Sequence, residues 1–350
     1  MTQTIQPVAR VSGAVALPGD RSISHNLALV ASLAEGTSKI TNFATGSDSL
    51  AILAKLRDVG IGMEVDGTTV TIHGRGLDAS LLAHLPLPKT PKSAELFHGL
   101  FADGQTVVRE PSMLPDHTEI AIRALGGDVK SVRRVITLEG RPKLEGRELV
   151  VPCDLSLAAY FVVAALLVPG SQLVIRNVGL NPTRSTLVDF LFSIGARIRV
   201  MRIESVNGEL LGDIEVKQTP IQGGVMDGLT ALELAGELPA LAVLGAVSER
   251  GLVVRDAAEW RLAEAGRLGN LAENFARMGV QLELTPDGMR IPGKQKFQPA
   301  AFDSFGDHGI AMACGVAALR TDGPSTMEEA EVVDQVFPDF WSVLARMAQG

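Results

Sequence analysis

The feature that most constrains the fold of this chain is an internal repeat. Each copy consists of an apolar helix rich in small residues, a glycine turn, a β-branched strand and a second helix. The turn glycines of the five copies are Gly36, Gly104, Gly170, Gly251 and Gly323. Because they are 66 to 81 residues apart, the repeat is a βαβ-type module rather than the short unit of a solenoid. The repeat therefore predicts an α/β protein built from several copies of one module.

The leading helix of each copy is apolar on nearly all sides. Ala158–Val168, for example, is apolar nearly all round, which is typical of a helix buried beneath sheets. Strand pairs such as Gly62–Val65 and Thr69–His73, joined at Asp66-Gly67-Thr68, predict hairpins. We therefore expect helices packed inside layers of mixed sheet.

Length and composition narrow the class of protein. A chain of 350 residues allows two domains, and its apolar fraction of 46% excludes a disordered chain. A net charge of −8 argues against a general binder of nucleic acid or of anionic membranes, and no apolar run reaches membrane-spanning length. The N-terminus has neither a basic nor an apolar segment of the kind that targets a protein for export. We expect a cytoplasmic monomer with no nucleic-acid or membrane partner.

The cysteines and histidines show no spacing that binds a metal. Cys153 and Cys314 are far apart in the sequence, which predicts reduced, buried thiols. We therefore expect neither a metal site nor another cofactor.

One stretch suits an anionic ligand. Leu17–Asn26 contains a Pro-Gly turn followed by Arg21, Ser22 and Ser24, and either serine could cap the helix that continues through Leu27–Ala34. A cation and two hydroxyls at a helix start, where backbone N–H groups are unpaired, favour an acidic group. The alternative is an ordinary capped loop between a strand and a helix.

Several blocks in order along the chain resemble 5-enolpyruvylshikimate-3-phosphate (EPSP) synthases. These blocks are Leu17–Asn26, Asn177–Arg184, Glu237–Val243, Arg255–Glu259, and Asp303–His308 with Ile310–Ala313. The resemblance implies an inverse α/β barrel of two domains, each of three βαβαββ units, with the active site between them. It also implies transfer of the carboxyvinyl group of phosphoenolpyruvate to a hydroxyl of shikimate 3-phosphate.

The resemblance further implies that the two ends of the chain share a domain. We expect residues 1–18 and 220–350, together with about 19–80, to form the first domain. Residues 81–219 would form the second. Turn residues and strand ends cluster near Leu77–Leu85 and Lys217–Gly223, where we place the boundaries.

The chain departs from the family where the family carries charge. Arg21 keeps the charge of the usual lysine, but nine other positions differ. With the usual residue in parentheses, they are Asn26 (Arg), Glu95 (Arg), Leu114 (Arg), Leu157 (Ser), Gly236 (Asp), Ala263 (Lys), Gly266 (Asp), Gly309 (Arg) and Gln335 (Lys). A charge-assisted hydrogen bond is worth about 1.5–3 kcal/mol. Losing four or five exceeds the roughly 4–8 kcal/mol of a typical substrate affinity, so we expect diverged chemistry.

The residues that remain in the cleft on the family's pattern define the candidate site. The expected substrate-binding residues are Arg21, Ser22, Ser24, Ser156 and Arg267, and the expected catalytic residues are Glu264, Asp307 and His308. Glu264 would be a general acid or base and His308 a proton shuttle.

Each role has a structural alternative. Arg267 could pair with Glu264 three residues earlier, and His308 could cap a helix beside Asp307. Arg21 could pair with Asp20, Asp48 or Asp307 and hold its loop shut.

Three functions follow from these residues. The first is an EPSP synthase-like enzyme whose chemistry has diverged, through elimination or isomerisation. Its ligand would be a small anionic, phosphorylated cyclic polyol, either shikimate-like or cyclitol-like. The second is a true 3-phosphoshikimate 1-carboxyvinyltransferase with a rebuilt donor site. The third is a catalytically inactive homologue that only binds a ligand.

Overall fold

The computed structural model describes residues 1–349, in which short strands alternate with helices throughout. The strands are β1 (Gln3–Ile5), β2 (Arg10–Ala16), β3 (Glu35–Thr41), β4 (Gly62–Asp66), β5 (Thr69–Arg75), β6 (Gln105–Arg109), β7 (Val129–Val132), β8 (Val135–Glu139), β9 (Glu148–Val150), β10 (Gln172–Gly179), β11 (Arg197–Val206), β12 (Glu209–Lys217), β13 (Gly224–Met226), β14 (Leu252–Val254), β15 (Glu283–Thr285), β16 (Gly288–Ile291), β17 (Ala301–Asp303), β18 (Ser325–Glu328) and β19 (Ala348–Gln349).

The α-helices vary in length from one turn to more than three. They are α1 (Arg21–Ser32), α2 (Ser47–Asp58), α3 (Ala79–Leu82), α4 (Pro91–Gly99), α5 (His117–Ala124), α6 (Leu155–Leu167), α7 (Thr186–Ser193), α8 (Gly228–Glu233), α9 (Leu238–Val247), α10 (Ala258–Ala263), α11 (Ala265–Arg277), α12 (His308–Ala318) and α13 (Phe340–Met347). Short 3₁₀ turns span Pro182–Arg184 and Ala330–Gln335. Within residues 1–349, no helix combines the length and the apolar character that a membrane crossing requires.

The strands form mixed sheets, as the repeat predicts. The five-stranded sheet has the order β11-β12-β10-β2-β19, and its strand β10 is antiparallel to β12 but parallel to β2. The four-stranded sheets are β4-β5-β3-β9 and β13-β14-β16-β15, and the three-stranded sheets are β1-β18-β17 and β6-β8-β7. The predicted hairpin is confirmed, because β4 pairs antiparallel with β5 from Gly62 opposite His73 to Asp66 opposite Thr69.

Most of the buried apolar residues belong to two hydrophobic cores. The first core contains residues 5–17 and 153–347, and its centre is formed by α6, α9 and α12, which contact one another. The second core contains residues 23–151, with α1 packed against α5 and α2. Leu155–Leu167 is buried at every position except Ser156, as expected for a helix without a polar face.

This division differs from the predicted domain boundaries. Residues 155–216 pack with the C-terminal part, because β10 pairs with β2 and α6 packs against α9 and α12. Residues 23–80 pack instead with residues 81–151. We expected Ser22 and Asp307 in one domain, yet Ser22 lies in the first turn of α1 in the second core, whereas Asp307 caps α12 of the first. We therefore propose domains that follow the two cores.

The chain passes between the cores at two adjacent places. The N–H of Asp20 donates to the carbonyl of Pro152 at 2.8 Å, and the N–H of Asp154 donates to the carbonyl of Pro18 at 3.0 Å. Gly19 allows this close approach, because a Cβ there would lie 1.9 Å from the carbonyl oxygen of Asn42. The two crossings place the starts of α1 and α6 side by side.

Candidate active site

A cavity of about 420 Å³ lies where the first turns of α1, α6 and α12 meet. Each of these helices is capped by an aspartate whose side chain accepts a hydrogen bond from the first turn. Asp20 accepts from the N–H of Ile23 at 2.9 Å, Asp154 from that of Ser156 at 2.7 Å and Asp307 from that of Ile310 at 3.0 Å. Three helix N-termini favour an anion, but the aspartates already supply negative charge to each of them.

The cap of α1 is not one of the two serines predicted from the sequence. We expected Ser22 or Ser24 to cap that helix, but it starts at Arg21 and its cap is Asp20. A carboxylate that precedes the helix can reach the N–H groups of the first turn, whereas Ser22 and Ser24 already lie within the helix.

Arg184 is the most heavily paired cation of the cavity. Its guanidinium lies 3.0 Å from Asp20, donates to the hydroxyl of Ser156 at 2.8 Å and lies 3.8 Å from Glu237. Ser156 in turn donates a hydrogen bond to Glu237. The 3₁₀ turn Pro182–Arg184 presents this arginine from the end of β10. Ser156, an expected ligand-binding residue, is therefore bound to Arg184 and Glu237.

Two of the carboxyl groups around Arg184 titrate differently. Burial raises the pKa of Asp154 to about 6, and the neighbouring charge of Asp20 adds to this rise while Arg184 opposes it. Burial also acts to raise the pKa of Asp20, but Arg184, His117 and backbone N–H groups together bring it below its usual range. Asp154 can therefore gain or lose a proton near neutral pH, whereas Asp20 stays ionised.

Arg267 is also paired. Its Nε lies 2.7 Å from Asp307, its Nη1 donates to the carbonyl of Ala235 at 2.9 Å, and Glu264 is 3.8 Å away. The suspected Arg267–Glu264 pair thus exists, but Asp307 is the closer partner. Asp307 combines two roles, because it holds this guanidinium and caps α12.

His308 is the first residue of α12 and lines the cavity. Burial lowers the pKa of its imidazole, and the charges of Arg267 and Arg21 lower it further, although Asp307 opposes them. His308 is therefore neutral at pH 7. It does not cap the helix, because Asp307 does.

Of the remaining expected residues, two line the cavity and two do not. Arg21 and Ser22 line the cavity, but the guanidinium of Arg21 lies 3.1 Å from Asp48 and both side chains are half-exposed. Ser24 is fully buried and its hydroxyl accepts from the N–H of Ala44 at 3.0 Å, so it is not part of the cavity wall. Glu264 is not part of the wall either. Six of the eight expected residues therefore meet at one cavity.

Asp154, Tyr160 and Arg184 also line the cavity, although the sequence did not lead us to expect them there. Arg184 ends the block Asn177–Arg184, so the motif that carried the resemblance contained the signal. Asp154 stands two residues before Ser156, at a position where an aspartate before an apolar helix is a capping signal.

The charges of the cavity balance closely. Among the described residues 1–349, its lining cations are Arg21, Arg184 and Arg267, and each is paired with a carboxylate. In that same part of the chain, no group of three or more His, Cys, Asp or Glu side chains is arranged to hold a metal ion. An acidic ligand would have to compete with these carboxylates for the arginines.

Two of the substituted positions leave open space. A Cβ at Gly236, where the family usually has aspartate, would meet no atom within 4 Å, and the same holds at Gly266. Asn26 occupies the place of an arginine differently, because it is buried, donates to the carbonyl of Ser22 at 2.8 Å and accepts from Thr118 at 2.9 Å.

Comparison with known proteins identifies the family. The family EPSP synthase (3-phosphoshikimate 1-carboxyvinyltransferase) matches residues 5–87 and 89–344. A relative named 3-phosphoshikimate 1-carboxyvinyltransferase from Solibacter usitatus (strain Ellin6076) is 42% identical, with all of both chains covered. One of the same name from Geobacter sp. (strain M21) is 34% identical, with 99% of each chain covered. The alignment with the first relative is 426 positions long, whereas this chain has 350 residues. At least 76 positions of the alignment therefore have no residue in this chain.

Solved structures agree with the sequence relatives. The EPSP synthase from Acinetobacter baumannii superimposes with a TM-score of 0.88 at 31% identity, covering 99% of this chain and 98% of that one. The enolpyruvyl transferase NikO from Streptomyces tendae shares the fold, with a TM-score of 0.79 at 16% identity and coverage of 98% and 96%. The predicted inverse α/β fold is thereby confirmed, and the chain belongs to the EPSP synthase family.

Proposed function

We propose that the protein is a 3-phosphoshikimate 1-carboxyvinyltransferase, which joins the carboxyvinyl group of phosphoenolpyruvate to a hydroxyl of shikimate 3-phosphate. The relatives that carry this name match the chain from end to end. They favour this function over the diverged chemistry that the substitutions led us to expect. The observation that carries the proposal is the cavity at three helix N-termini, lined by three arginines.

In this proposal the arginines bind the acidic groups of the two substrates. Arg21 and Ser22 hold a phosphate at the start of α1, and Arg184 with Ser156 holds an acidic group at the start of α6. Arg267 holds a third after release from Asp307. Each contact replaces an existing ion pair, so substrate binding exchanges carboxylate partners rather than filling free cationic sites.

The reaction needs proton transfer in two directions. The acceptor hydroxyl loses a proton as its oxygen bonds to C2 of phosphoenolpyruvate, and C3 gains a proton. In the second half, C3 loses a proton while the bond from C2 to the phosphate oxygen breaks. Asp154 and His308 line the cavity and are suited to these steps, because the pKa of Asp154 is about 6 and His308 is neutral. Asp307 positions Arg267, and Glu264 has no direct role.

Phosphate release tests the proposal directly. Purified protein is incubated with phosphoenolpyruvate and shikimate 3-phosphate, and inorganic phosphate is measured with each substrate omitted in turn. We expect release that requires both substrates and that is reduced at least tenfold in Asp154→Asn, as is usual for loss of a general acid or base, typically about 10²–10⁴-fold. No release over a range of pH and substrate concentration would contradict the proposal.

A second function is favoured by one observation. The three arginines of the cavity are already paired, and Gly236, Ala263 and Gly309 stand where the family usually has charged side chains. Such a cleft suits one small anionic ligand, such as a phosphorylated cyclic polyol, better than two substrates that each carry a carboxylate and a phosphate. Calorimetric binding of shikimate 3-phosphate without turnover of phosphoenolpyruvate would support this second function. The expectation of a cytoplasmic monomer stays a prediction.

A further inference from the structure

The side chain of Arg267 lies across the first turn of α12. It reaches Asp307 through two nitrogens, with Nε 2.7 Å from Oδ2 and Nη2 3.5 Å from Oδ1, and Nη1 donates to the carbonyl of Ala235. About a quarter of each charged side chain of this pair is exposed. Three contacts therefore hold the guanidinium against the wall of the cavity, where it is already neutralised.

Gly309 makes this arrangement possible. A Cβ at residue 309 would lie 2.5 Å from Nη2 of Arg267, 3.0 Å from Oδ1 of Asp307 and 3.1 Å from the hydroxyl of Tyr160. The first of these separations is too short for any real contact. Since Nη2 is the far end of a flexible side chain, the guanidinium would move before the backbone did. Any side chain at 309 thus requires the guanidinium of Arg267 to shift from its present place.

We propose that Gly309 sets the anion affinity of the cavity by letting Asp307 hold Arg267 out of ligand binding. The proposal rests on the anion-binding cavity of the proposed function and assigns a specificity-determining role to a residue that touches no ligand. An acidic group that uses Arg267 must first displace the carboxylate of Asp307. A side chain at 309 weakens that competition, because Nη2 of Arg267 has to move from its place beside Oδ1 of Asp307.

Gly266 offers a matched control. It is the second residue of α11, as Gly309 is the second residue of α12, and it neighbours Arg267 in sequence. A Cβ at Gly266 would meet no atom within 4 Å, and Gly266 is not part of the cavity wall. Alanine at either position brings the same change in helix propensity, but only alanine at 309 displaces Arg267.

The test measures binding of inorganic phosphate by titration calorimetry at constant ionic strength. The proteins are wild type, Gly309→Ala, Gly266→Ala, Arg267→Ala and the double variant Gly309→Ala with Arg267→Ala. We expect Gly309→Ala to bind phosphate about tenfold more tightly, since one charge-assisted contact becomes available. Gly266→Ala should match wild type, and the gain should vanish in the double variant.

Asp307→Asn provides an independent variant. Asparagine keeps the helix cap but removes the charge that holds Arg267, so phosphate should again bind about tenfold more tightly. This variant decides the question if thermal unfolding shows that Gly309→Ala does not fold.

The proposal is overturned if Gly309→Ala binds phosphate no more tightly than Gly266→Ala, or if its gain persists without Arg267. These measurements need no turnover. A protein that shows the expected pattern but releases no phosphate from phosphoenolpyruvate keeps this inference and loses the proposed function. A protein that turns over both substrates but does not show the expected differences in phosphate affinity keeps the proposed function and loses this inference.

Discussion

Helix α6 of the first core and helix α5 of the second are both largely buried, but they differ in the polarity of their buried side chains. Nearly every side chain of α6 is apolar. In α5, His117, Thr118 and Glu119 are all less than 6% exposed. Apolar burial has no preferred direction, whereas each buried polar group needs a particular partner. The first core should therefore tolerate replacement of one apolar side chain by another of similar volume. The second core should be destabilised when a buried polar side chain loses its hydrogen-bond or ion-pair partner.

The charged partner of Glu119 in α5 comes from the preceding helix, α4. The ammonium of Lys92 on α4 lies 3.0 Å from Glu119 and 3.0 Å from Glu110, and it donates to the carbonyl of Pro115 at 2.6 Å. Burial raises the pKa of Glu119, and the charge of Lys92 opposes that rise. One cation thus stabilises two buried carboxyl groups.

The largest expected effect tests this contrast with one replacement residue in both cores. Lys92→Met leaves two carboxyl groups buried without a cation, and we expect it to lower the free energy of unfolding by about 3–5 kcal/mol. Leu166→Met in α6 conserves volume and should cost less than about 1.5 kcal/mol. Urea denaturation at pH 7 measures both. Similar decreases in the free energy of unfolding for Lys92→Met and Leu166→Met would contradict the contrast between the two cores.

A smaller effect is expected where the two cores meet. Asp154 binds its proton more tightly in the folded chain, since its pKa rises from 3.8 to about 6. Asp154→Asn keeps the helix cap and removes the buried charge. We expect no gain in stability below about pH 4, a growing gain between pH 4 and 6, and a constant gain of about 1–3 kcal/mol above that.

Asp227→Asn is the control for this pH dependence, because Asp227 caps α8 from an exposed position where hydrogen bonds to the backbone N–H and the side chain of Thr230 lower its pKa. Its effect should not change between pH 5 and 8. A gain in Asp154→Asn that is equal at pH 5 and pH 8 would show that burial of this carboxylate is not the cause.

A still smaller effect on stability is expected at an exposed helix position that contacts neither core. Gly269 lies exposed inside α11, and a Cβ there would meet no atom within 4 Å. Gly269→Ala should raise the free energy of unfolding by about 0.5–1 kcal/mol, because alanine loses less backbone freedom on folding. Thermal unfolding measures the gain, and a loss of stability would mean that α11 is not helical at this residue.

The smallest effect on stability is expected at the rim of the cavity, where charge is exposed. The Arg21–Asp48 pair is half-exposed, so Arg21→Ala should cost less than about 1 kcal/mol. If Arg21 binds an acidic group, the same variant should lose about one to two decades in phosphate affinity by calorimetry. Unchanged affinity with a clear fall in thermal stability would make Arg21 a structural residue.

The sequence predicted those parts of the fold that have a local signal. Helix α6 follows from its unbroken apolar run, and β4 with β5 follows from the turn at Gly67. The sequence did not predict which segments share a core, because neither strand carries a local signal of the parallel pairing between Ser12–Ala16 and Gln172–Arg176. In the same way, Lys92 and Glu119 look like surface residues until the fold brings them together.

The site was predictable to the extent that a motif carried it. Arg21 and His308 follow from blocks of sequence and Arg267 from the family's pattern, and all three line the cavity. The pairs Arg21–Asp48 and Arg267–Glu264 were among the alternatives that the sequence offered. The pairing of Arg184 was not predictable, because its partner Asp20 is 164 residues away. A sequence shows which charges are present, but the fold determines which of them are already neutralised.

The position of β2 in its sheet has a consequence for synthesis on the ribosome. β2 is complete at Ala16, but its neighbour β10 begins only at Gln172. At about 5–20 residues per second, the nascent strand waits roughly 8–30 s for that neighbour. All the residues of the second core emerge during this interval. The first strand of the sheet is thus translated early and paired late, with a whole core free to fold before it.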